Sequence, residues 1–287
     1  MSGGEPSDEA IRAVADRVAA SRRYRVVDLS VVRRLVSEEL ARARTDEEAV
    51  KRVKRRLHQA VGAYRGPGDA HLERDLERLD AAQAQDPSGA ELRTVCRDLL
   101  SRHASTRERL PYLDRFYAGI WEAMGGSPAN LLDLGCGIAP LSLPWMDLPA
   151  TGRYHATDAD GAAIRLVDGF LSLVGQPHLA EARDLATEFA LPRVDVALLL
   201  KLVPILDRQD SAAVTRLLRR LEARNLVLSF PVRSLGGHGK GMEATYRRRV
   251  DAILRDLEPR VEQVAEASVA NELVMVLMLG DEKAGSG

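Results

Sequence analysis

From about residue 128 the chain contains a regular series of short apolar runs, each followed by turn residues or by a segment with helical periodicity. The runs cover residues 130–134, 153–157, 194–200 and 225–230. Strands buried on both faces have this composition, and their alternation with helices predicts βαβ units in a parallel sheet. Two further β-like runs, near 260–269 and 272–279, are close enough to pair as a hairpin. The pattern therefore predicts an α/β fold whose mostly parallel sheet has an antiparallel end.

The part of the chain before this sheet is predicted to be helical. Apolar side chains keep helical spacing through residues 8–64, and further helices are expected over 70–84 and 89–103. We therefore expect an all-helical N-terminal domain over 1–104, followed by the sheet domain over 105–287.

The composition excludes several classes of protein. The 287 residues, of which 45% are hydrophobic, give room for one large domain and a smaller one. Two cysteines, Cys96 and Cys136, are too few for a disulfide framework, and the first residues lack the basic and apolar regions of a signal peptide. No apolar run approaches the roughly 18 residues that span a bilayer. We therefore expect a cytoplasmic protein with no membrane partner.

Positive charge is concentrated in the helical part of the chain. Residues 17–65 contain 14 Lys or Arg against 6 Asp or Glu, although the whole chain has a net charge of −1. The segment Lys51-Arg-Val-Lys-Arg-Arg-Leu-His58 has five cations on one predicted helix with no acid between them. Such a run can be a solvated face, but the lack of interleaved acids favours a surface that contacts nucleic-acid phosphates. The residues predicted to bind RNA here are Arg23, Lys51, Arg52, Lys54 and Arg55.

The first predicted strand runs directly into a glycine turn, Leu131-Leu-Asp-Leu-Gly-Cys-Gly137. Glycine lets the backbone approach a ligand, and this turn lies at the carboxyl edge of the sheet, where nucleotides bind. A Gly-x-Gly turn is a weak signal alone, but Asp158 closes the next strand, where a carboxylate can accept from both ribose hydroxyls. The dinucleotide fingerprint requires glycine where this chain has Pro140. The turn therefore favours S-adenosylmethionine, which has no pyrophosphate, over NAD.

Asp184 follows a third predicted strand and is placed to accept a hydrogen bond from an adenine amino group. The alternative is that Asp184 is a solvated loop acid or a helix cap. Asp160 is predicted to be a helix N-cap, and Cys136 a small buried filler. No His/Cys cluster has zinc spacing and no Ser-His-Asp order is suggested, so no metal site is predicted.

The fourth predicted strand ends on a lysine, in the run Val196-Ala-Leu-Leu-Leu-Lys-Leu-Val-Pro204. An unpaired buried ammonium is costly, so Lys201 marks either the exit of the strand into water or the lip of a site. The Lys-Leu-Val-Pro segment has no Asn, Asp or Cys, so it offers neither an acceptor for a substrate amine nor a nucleophile for a pyrimidine. A target with its own lone pair, such as guanine N7, needs positioning and a donor rather than a base. Lys201 is the predicted catalytic residue.

Two further segments carry cations near the predicted site. In His103-Ala-Ser-Thr-Arg-Glu-Arg-Leu-Pro111, Arg107 or Arg109 could pair with the carboxylate of the cofactor's methionyl part, the alternative being a structural inter-domain ion pair. After the fifth strand, the glycine-rich segment 230–242 carries Arg233 and Lys240, which we predict contact RNA as part of a lid. A loop of this length could also be merely mobile.

Taken together, these residues resemble the aminoglycoside-resistance 16S ribosomal RNA (guanine-N7) methyltransferases, particularly those of aminoglycoside-producing actinomycetes. The resemblance covers nearly the whole chain, and its most specific parts are the Thr-Arg-Glu-Arg-Leu-Pro and Leu-Leu-Leu-Lys stretches. The other shared motifs include Ser21-Arg-Arg-Tyr24, the basic run at residues 51–56, Phe116-Tyr117, Pro144-Trp-Met146, Phe230-Pro231, Gly241-Met242 and Glu272-Leu273.

The resemblance implies a Rossmann-like S-adenosylmethionine-dependent methyltransferase domain, with a helical N-terminal domain that docks on the small ribosomal subunit. Members of the family modify one guanine in the decoding site and confer resistance to gentamicin- and kanamycin-type drugs. We expect a monomeric enzyme. The residues that the resemblance places at the cofactor are Arg109, Gly135, Asp158 and Asp184, and we group Gly137 and Leu185 with them.

Two alternatives stay open: an adenine-N1 methyltransferase that acts at the same decoding site, and a non-catalytic ribosome-binding factor that has kept the fold. The chain also departs from its relatives at two positions. Several relatives have alanine where this chain has Gly135, and we expect this departure to be harmless. Asp207 stands where glutamate is usual, which leaves the role of that carboxylate in doubt.

Overall fold

The computed structural model describes residues 6–62, 71–86, 89–231, 242–258, 260–269 and 272–280. The N-terminal part is helical, as predicted. Its helices are α1 (Asp8–Ala19), α2 (Leu29–Leu40), α3 (Asp46–Leu57), α4 (Leu72–Gln85) and α5 (Ala90–Ser101). A π-helical turn, His58–Gly62, continues directly from α3.

Helices α1, α2 and α3 form a small bundle with a core of its own. Their starts are set by Ser7, Asp28 and Thr45, whose side chains each accept a hydrogen bond from a backbone N–H in the first helical turn. Such caps satisfy N–H groups that have no partner inside the helix. The apolar faces of the three helices meet at fully buried residues such as Leu35 and Val53. Residues 8–62, including the π-helical turn, are called the N-terminal bundle below.

Helices α4 and α5 pack on the sheet instead. Leu79 of α4 and Cys96 of α5 are buried in the same apolar core as the strand residues Leu131 and Val196. The division of the chain into two domains at residue 104 stays a prediction. The apolar packing itself groups α4 and α5 with the sheet rather than with the N-terminal bundle.

Seven strands form one sheet in the order β3-β2-β1-β4-β5-β7-β6. They are β1 (Asn130–Leu134), β2 (Arg153–Asp158), β3 (His178–Ala182), β4 (Val194–Leu200), β5 (Ala223–Pro231), β6 (Val261–Val269) and β7 (Glu272–Leu279). Strands β1 to β5 are parallel, whereas β7 runs antiparallel to both β5 and β6. The predicted α/β fold with an antiparallel end is confirmed, and so is the pairing of the last two strands.

The strand order determines where a ligand can enter. The chain moves outward from β1 through β2 to β3, and then returns to place β4 on the other side of β1. Open parallel sheets bind ligands at such a reversal, outside the carboxyl ends of the strands. The remaining helices connect or cover these strands: α6 (Ala104–Arg107), α7 (Leu113–Met124), α8 (Gly161–Leu173), α9 (Val203–Gln209), α10 (Ala213–Arg219) and α11 (Met242–Leu257).

None of the helices in the described part of the chain has both the length and the apolar character needed to cross a membrane.

Candidate functional site

A cleft of about 740 Å³, measured with its open mouth, lies at the carboxyl ends of β1, β2 and β4. Five of the predicted cofactor residues and the predicted catalytic lysine line it: Gly135, Gly137, Asp158, Asp184, Leu185 and Lys201. The structure therefore brings together residues that lie up to 66 positions apart in the sequence, because parallel strands present their carboxyl ends at one edge.

The glycine turn after β1 has a backbone that suits glycine. Gly135 and Gly137 have φ angles of 69° and 52°, in the left-handed region. A Cβ atom on Gly135 would lie 2.7 Å from Cδ1 of Leu202, and one on Gly137 would lie 3.3 Å from Cε1 of His103. Alanine at position 135 would therefore have to adopt an unfavourable backbone and displace Leu202. Glycine suits this position in this chain, and the expectation that its departure from the relatives is harmless stays a prediction.

Asp158 ends β2 beside this turn and ties the two together. One carboxylate oxygen accepts a hydrogen bond of 2.8 Å from the backbone N–H of Gly137, and the other accepts one of 2.7 Å from that of Asp160. Asp160 in turn caps α8 by accepting from the N–H groups of Ala162 and Ala163, so the predicted N-cap is confirmed. The carboxylate of Asp158 is thus held in a fixed orientation along the cleft.

Asp184 lies after β3 and is buried, with 4% of its surface exposed. Its carboxylate accepts two hydrogen bonds from the guanidinium of Arg34, at 2.6 Å from Nε and 3.1 Å from Nη2. It also accepts a bond of 3.0 Å from the backbone N–H of Ala186, as a turn cap would. Asp184 is therefore paired with the N-terminal bundle as well as facing the cleft.

Lys201 follows β4 and is held in an unusual conformation. Its φ of 60° is in the left-handed region, and only 5% of its surface is exposed. Its backbone N–H donates to the carbonyl of Ser229, while its Nζ contacts the carboxylates of Glu108 and Glu272. Lys201 therefore does not leave the strand into water. It lies at the lip of the cleft, where two acids balance its charge.

Arg109 is fully enclosed and forms a bidentate ion pair with Glu272. The distances are 2.7 Å from Nε and 3.0 Å from Nη2, and the guanidinium also lies 4.8 Å from the ring centroid of Phe116. Burial would lower the pKa of Arg109, but the charge and hydrogen bonds of Glu272 raise it overall. Arg109 is not among the described residues that line the cleft, and Arg107 is exposed. In the structure, Arg109 therefore forms a structural ion pair, and its partner is Glu272 of β7. That Arg109 also holds the carboxylate of a cofactor stays a prediction.

The predicted RNA-binding residues divide into two groups. Lys51 and Arg55 are exposed on the outer face of α3, and Arg23 is exposed in the segment between α1 and α2. Arg52, by contrast, pairs with Glu48 at 2.6 Å, and Lys54 is half-buried. Arg233 and Lys240 lie outside the described residues.

The last cation of the basic run, Arg56, points inward and binds acids of α2. Its Nη1 donates to Glu38 at 2.6 Å and to Glu39 at 3.0 Å. The run is therefore not a uniform solvated face, because at least two of its five cations are engaged within the protein.

Several residues at the cleft were not predicted from the sequence. His103 and Ser105 lie along it at the entrance segment, and their side chains are 2.9 Å apart. The N-terminal bundle contributes Val31, Ala60 and Val61. The motif around His103 could have indicated the first two, whereas no local signal marks apolar residues of a distant helix.

Asp207, whose role the sequence left in doubt, forms a bidentate pair with Arg249 of α11, with both distances at 2.8 Å. It is not among the described residues that line the cleft. Its carboxylate therefore joins α9 to α11.

A buried acid lies beneath the glycine turn. Asp133 of β1 is 1% exposed and accepts a hydrogen bond of 2.8 Å from the hydroxyl of Tyr154. Burial raises the pKa of Asp133 to about 7, against the opposing effects of Tyr154 and Arg109. Burial likewise raises the pKa of the Cys136 thiol, as expected for a filler rather than a nucleophile.

The cleft fits the adenosyl part of S-adenosylmethionine. The turn at Gly135 and Gly137 approaches without side chains, Asp158 presents a fixed carboxylate, and Leu185, Ile205 and Val61 provide an apolar wall for a purine. No group of three or more His, Cys, Asp or Glu in the described part of the chain could hold a metal ion.

Comparisons with known proteins agree with this geometry. A family model described as "Ribosomal RNA methyltransferase (FmrO)" matches residues 20–276. A Frankia casuarinae protein named 16S rRNA (guanine(1405)-N(7))-methyltransferase is 40% identical, over 94% of this chain and 94% of its own. A protein of the same name from Micromonospora echinospora is 35% identical, over 96% of this chain and 99% of its own length. The crystal structure of the 16S rRNA methyltransferase RmtF in complex with S-adenosyl-L-homocysteine has a TM-score of 0.79 and 32% identity, covering 96% of this chain and 100% of that one.

Proposed function

The chain belongs to the ribosomal RNA methyltransferase family described as FmrO, and on that premise we propose that it methylates N7 of a guanine in 16S ribosomal RNA, with S-adenosylmethionine as the methyl donor. The observation that carries the proposal is the carboxyl edge of the sheet, where the glycine turn, Asp158 and Lys201 surround one cleft. This edge offers a place for an adenosyl group with a cation beside it.

The bound cofactor supplies an activated methyl group, and the protein supplies position. Asp158 accepts hydrogen bonds from the ribose, while the turn from Gly135 to Gly137 lets the backbone close around the methionyl part. The apolar wall excludes water from the purine. Holding the two reactants in line removes much of the entropic cost of bringing them together.

Guanine N7 has a lone pair, so the reaction needs no protein base. Methylation leaves a positive charge on the imidazole ring of the guanine, and an ammonium pointing at N7 would oppose that charge. We therefore propose that Lys201 donates to a neighbouring acceptor, such as a phosphate or O6, or maintains the pocket wall. The contacts of Nζ with the carboxylates of Glu108 and Glu272 support this role, because they hold the ammonium group away from the reacting N7 atom.

The substrate that we propose is the assembled small ribosomal subunit, with the target guanine in the decoding site. A surface that carries Lys51 and Arg55, separate from the cleft, suits docking on folded RNA through phosphates. The guanine must also leave its stack to reach the cleft, at a cost of a few kcal/mol. The expected consequence is resistance to gentamicin- and kanamycin-type aminoglycosides. We further propose that the enzyme acts as a monomer in the cytoplasm, where its substrate is.

The test is in vitro methylation of intact small subunits and of naked 16S rRNA, with the modified nucleotide mapped by reduction and aniline cleavage. We expect rapid modification of one guanine in intact subunits and little in naked RNA. A methyl group on an adenine would support the adenine-N1 alternative. Cofactor binding without any transfer would support a non-catalytic ribosome-binding factor.

A further inference from the structure

The N-terminal bundle forms one wall of the cofactor cleft. Val31 of α2 and Ala60 and Val61 of the π-helical turn line it together with Ile205 and Leu206 of α9. A π-helical turn is uncommon and is frequently found at functional sites. Here it ends the basic helix α3 directly against the cleft. The bundle is therefore part of the cofactor site as well as a candidate surface for RNA.

Arg34 makes the most direct link between the bundle and the cleft. Besides its two bonds to Asp184, it donates to the side-chain oxygen of Gln209 at 3.0 Å and to Glu38 at 2.9 Å. The side chain of Arg34 is 17% exposed, and that of Asp184 is 3% exposed. A carboxylate buried to this degree is costly without a partner, so Arg34 provides the charge that keeps Asp184 in place.

Helix α3 takes part in the same network. Arg56 donates to Glu38, which also binds Arg34, and to the backbone carbonyl of Gln209 at 3.0 Å. Thus α2 and α3 hold the end of α9 through two arginines that share one acid. The exposed cations Lys51 and Arg55 are on the same helix as Arg56.

The bundle also contacts the opposite side of the cleft. The backbone N–H of Asp28 donates to the carbonyl of Ala159 at 2.9 Å, and that of Gly161 donates to the carbonyl of Val26 at 2.9 Å. These bonds form a short antiparallel bridge next to Asp158. A shift of the bundle would therefore move both the ribose side and the purine side of the cleft.

We propose that Arg34 is a positioning residue of the cofactor site, and that it couples docking of the N-terminal bundle on ribosomal RNA to cofactor affinity. The proposal rests on the proposed function for the identity of the two ligands. RNA that binds the outer face of α3 stabilises the bundle in the position that closes the cleft, and a bound cofactor stabilises the same position. Such coupling is reciprocal, so each ligand must raise the affinity of the protein for the other ligand by the same factor.

The first measurement is calorimetric binding of S-adenosylhomocysteine to the wild-type protein and to Arg34→Gln. We expect about a tenfold or larger loss of affinity, since a charge-assisted pair is removed. Arg33→Gln is the matched control, because Arg33 is the exposed neighbour on the same helix, and its affinity should not change. Arg34→Lys, which keeps the charge but loses the bidentate geometry, should recover part of the loss.

The second measurement is binding of labelled protein to small ribosomal subunits with and without S-adenosylhomocysteine. For the wild type we expect the ligand to tighten subunit binding about fivefold or more, and for Arg34→Gln we expect this effect to disappear. A purely structural role for Arg34 would lower thermal stability without removing the coupling.

The proposal is overturned if a folded Arg34→Gln protein binds S-adenosylhomocysteine like the wild type, or if the ligand does not change subunit affinity in the wild type. If Arg34→Gln does not fold, the wild-type protein decides: a subunit affinity that S-adenosylhomocysteine does not change overturns the proposal. Methyl transfer by the wild type is measured in parallel. Normal transfer with no effect of Arg34 refutes this inference alone, whereas absence of transfer refutes the proposed function.

Discussion

Oε1 of Glu272 lies 3.1 Å from Nζ of Lys201, so an acid at the start of β7 holds the lysine at the end of β4. The same carboxylate accepts two hydrogen bonds from Arg109. Burial would raise the pKa of Glu272, but the charges of Arg109 and Lys201 lower it overall. Glu272 is therefore ionised at neutral pH and serves as the common partner of both cations.

Lys201→Ala should slow methyl transfer by about 100-fold or more, because a lost contact at the reacting edge misplaces the target. Binding to small subunits should change little, since Lys201 is buried away from the exposed face of α3. Single-turnover rates and subunit affinity separate the two effects. The pH–rate profile of the wild type should show no essential base near neutrality. Full activity in a folded variant would remove Lys201 from the mechanism.

Glu272→Gln should destabilise the protein by about 3–5 kcal/mol, because Arg109 would be left buried without its counterion. Chemical unfolding of wild type and variant measures the difference. Glu266→Gln on the adjacent strand β6 is the matched control: Glu266 is exposed and pairs with an exposed Arg247, so its loss should matter little. Equal effects of the two substitutions would contradict the importance of the buried pair.

Reversing the charge of Lys51 and Arg55 together should weaken binding to small subunits and reduce its salt dependence, by roughly 0.7–0.9 in log–log slope for each lost phosphate contact. These two are the exposed cations of α3, whereas Arg52 is already paired with Glu48. The affinity of the isolated protein for S-adenosylhomocysteine should stay the same.

A control for this charge reversal is Arg219→Glu with Arg224→Glu, the same change of net charge at exposed residues toward the amino edge of the sheet. If both double variants weaken subunit binding equally, the effect is one of overall charge and α3 has no special role.

Asp158→Ala should weaken binding of S-adenosylhomocysteine by about 1.5–3 kcal/mol, as expected when hydrogen bonds to a charged acceptor are lost. The substitution also frees the N–H groups of Gly137 and Asp160, so the glycine turn should loosen. Calorimetry on a protein with normal circular dichroism is the measurement. If the Asp158→Ala protein bound S-adenosylhomocysteine with wild-type affinity, the cofactor would have to bind away from the end of β2.

Asp133→Asn should change how stability depends on pH. The pKa of Asp133 is about 7 in the folded protein and near 3.8 in an unfolded chain. Between these values the folded state holds a proton that the unfolded state has released, so stability falls as pH rises, by up to about 1.4 kcal/mol per pH unit. Below about pH 4 and above pH 7 the contribution is constant.

The asparagine variant lacks this titration, while its side-chain oxygen can still accept from Tyr154. Urea unfolding at pH 5, 6, 7 and 8 should therefore show the wild type losing stability relative to the variant up to pH 7. A constant difference between the two proteins across this range would show that Asp133 is ionised throughout.

Sequence reasoning located the strands well because their signals are local. The runs at 130–134 and 194–200 match β1 and β4 to the residue, and the general rule for parallel sheets then places Asp158 and Lys201 at one edge. The same rule does not predict which charged side chains lie against the site residues.

The partners of the site residues come from distant parts of the chain. Asp184 meets Arg34 across 150 residues, and Arg109 meets Glu272 across 163. Such pairs depend on how the bundle packs on the sheet and on the insertion of β7 between β5 and β6. No spacing or periodicity encodes either arrangement, so the cleft could be predicted but not the charges that support it.

The position of β7 has a consequence for the order of folding. This strand is the last along the described chain, yet it lies inside the sheet between β5 and β6. The pairing of Arg109 with Glu272 closes a loop of 163 residues, longer than the 65 residues between the paired Leu131 of β1 and Val196 of β4. Because a longer loop costs more entropy to close, we expect this ion pair to form after the parallel strands have paired. Arg109 and Lys201 therefore acquire their shared carboxylate only once the last strand has joined the sheet.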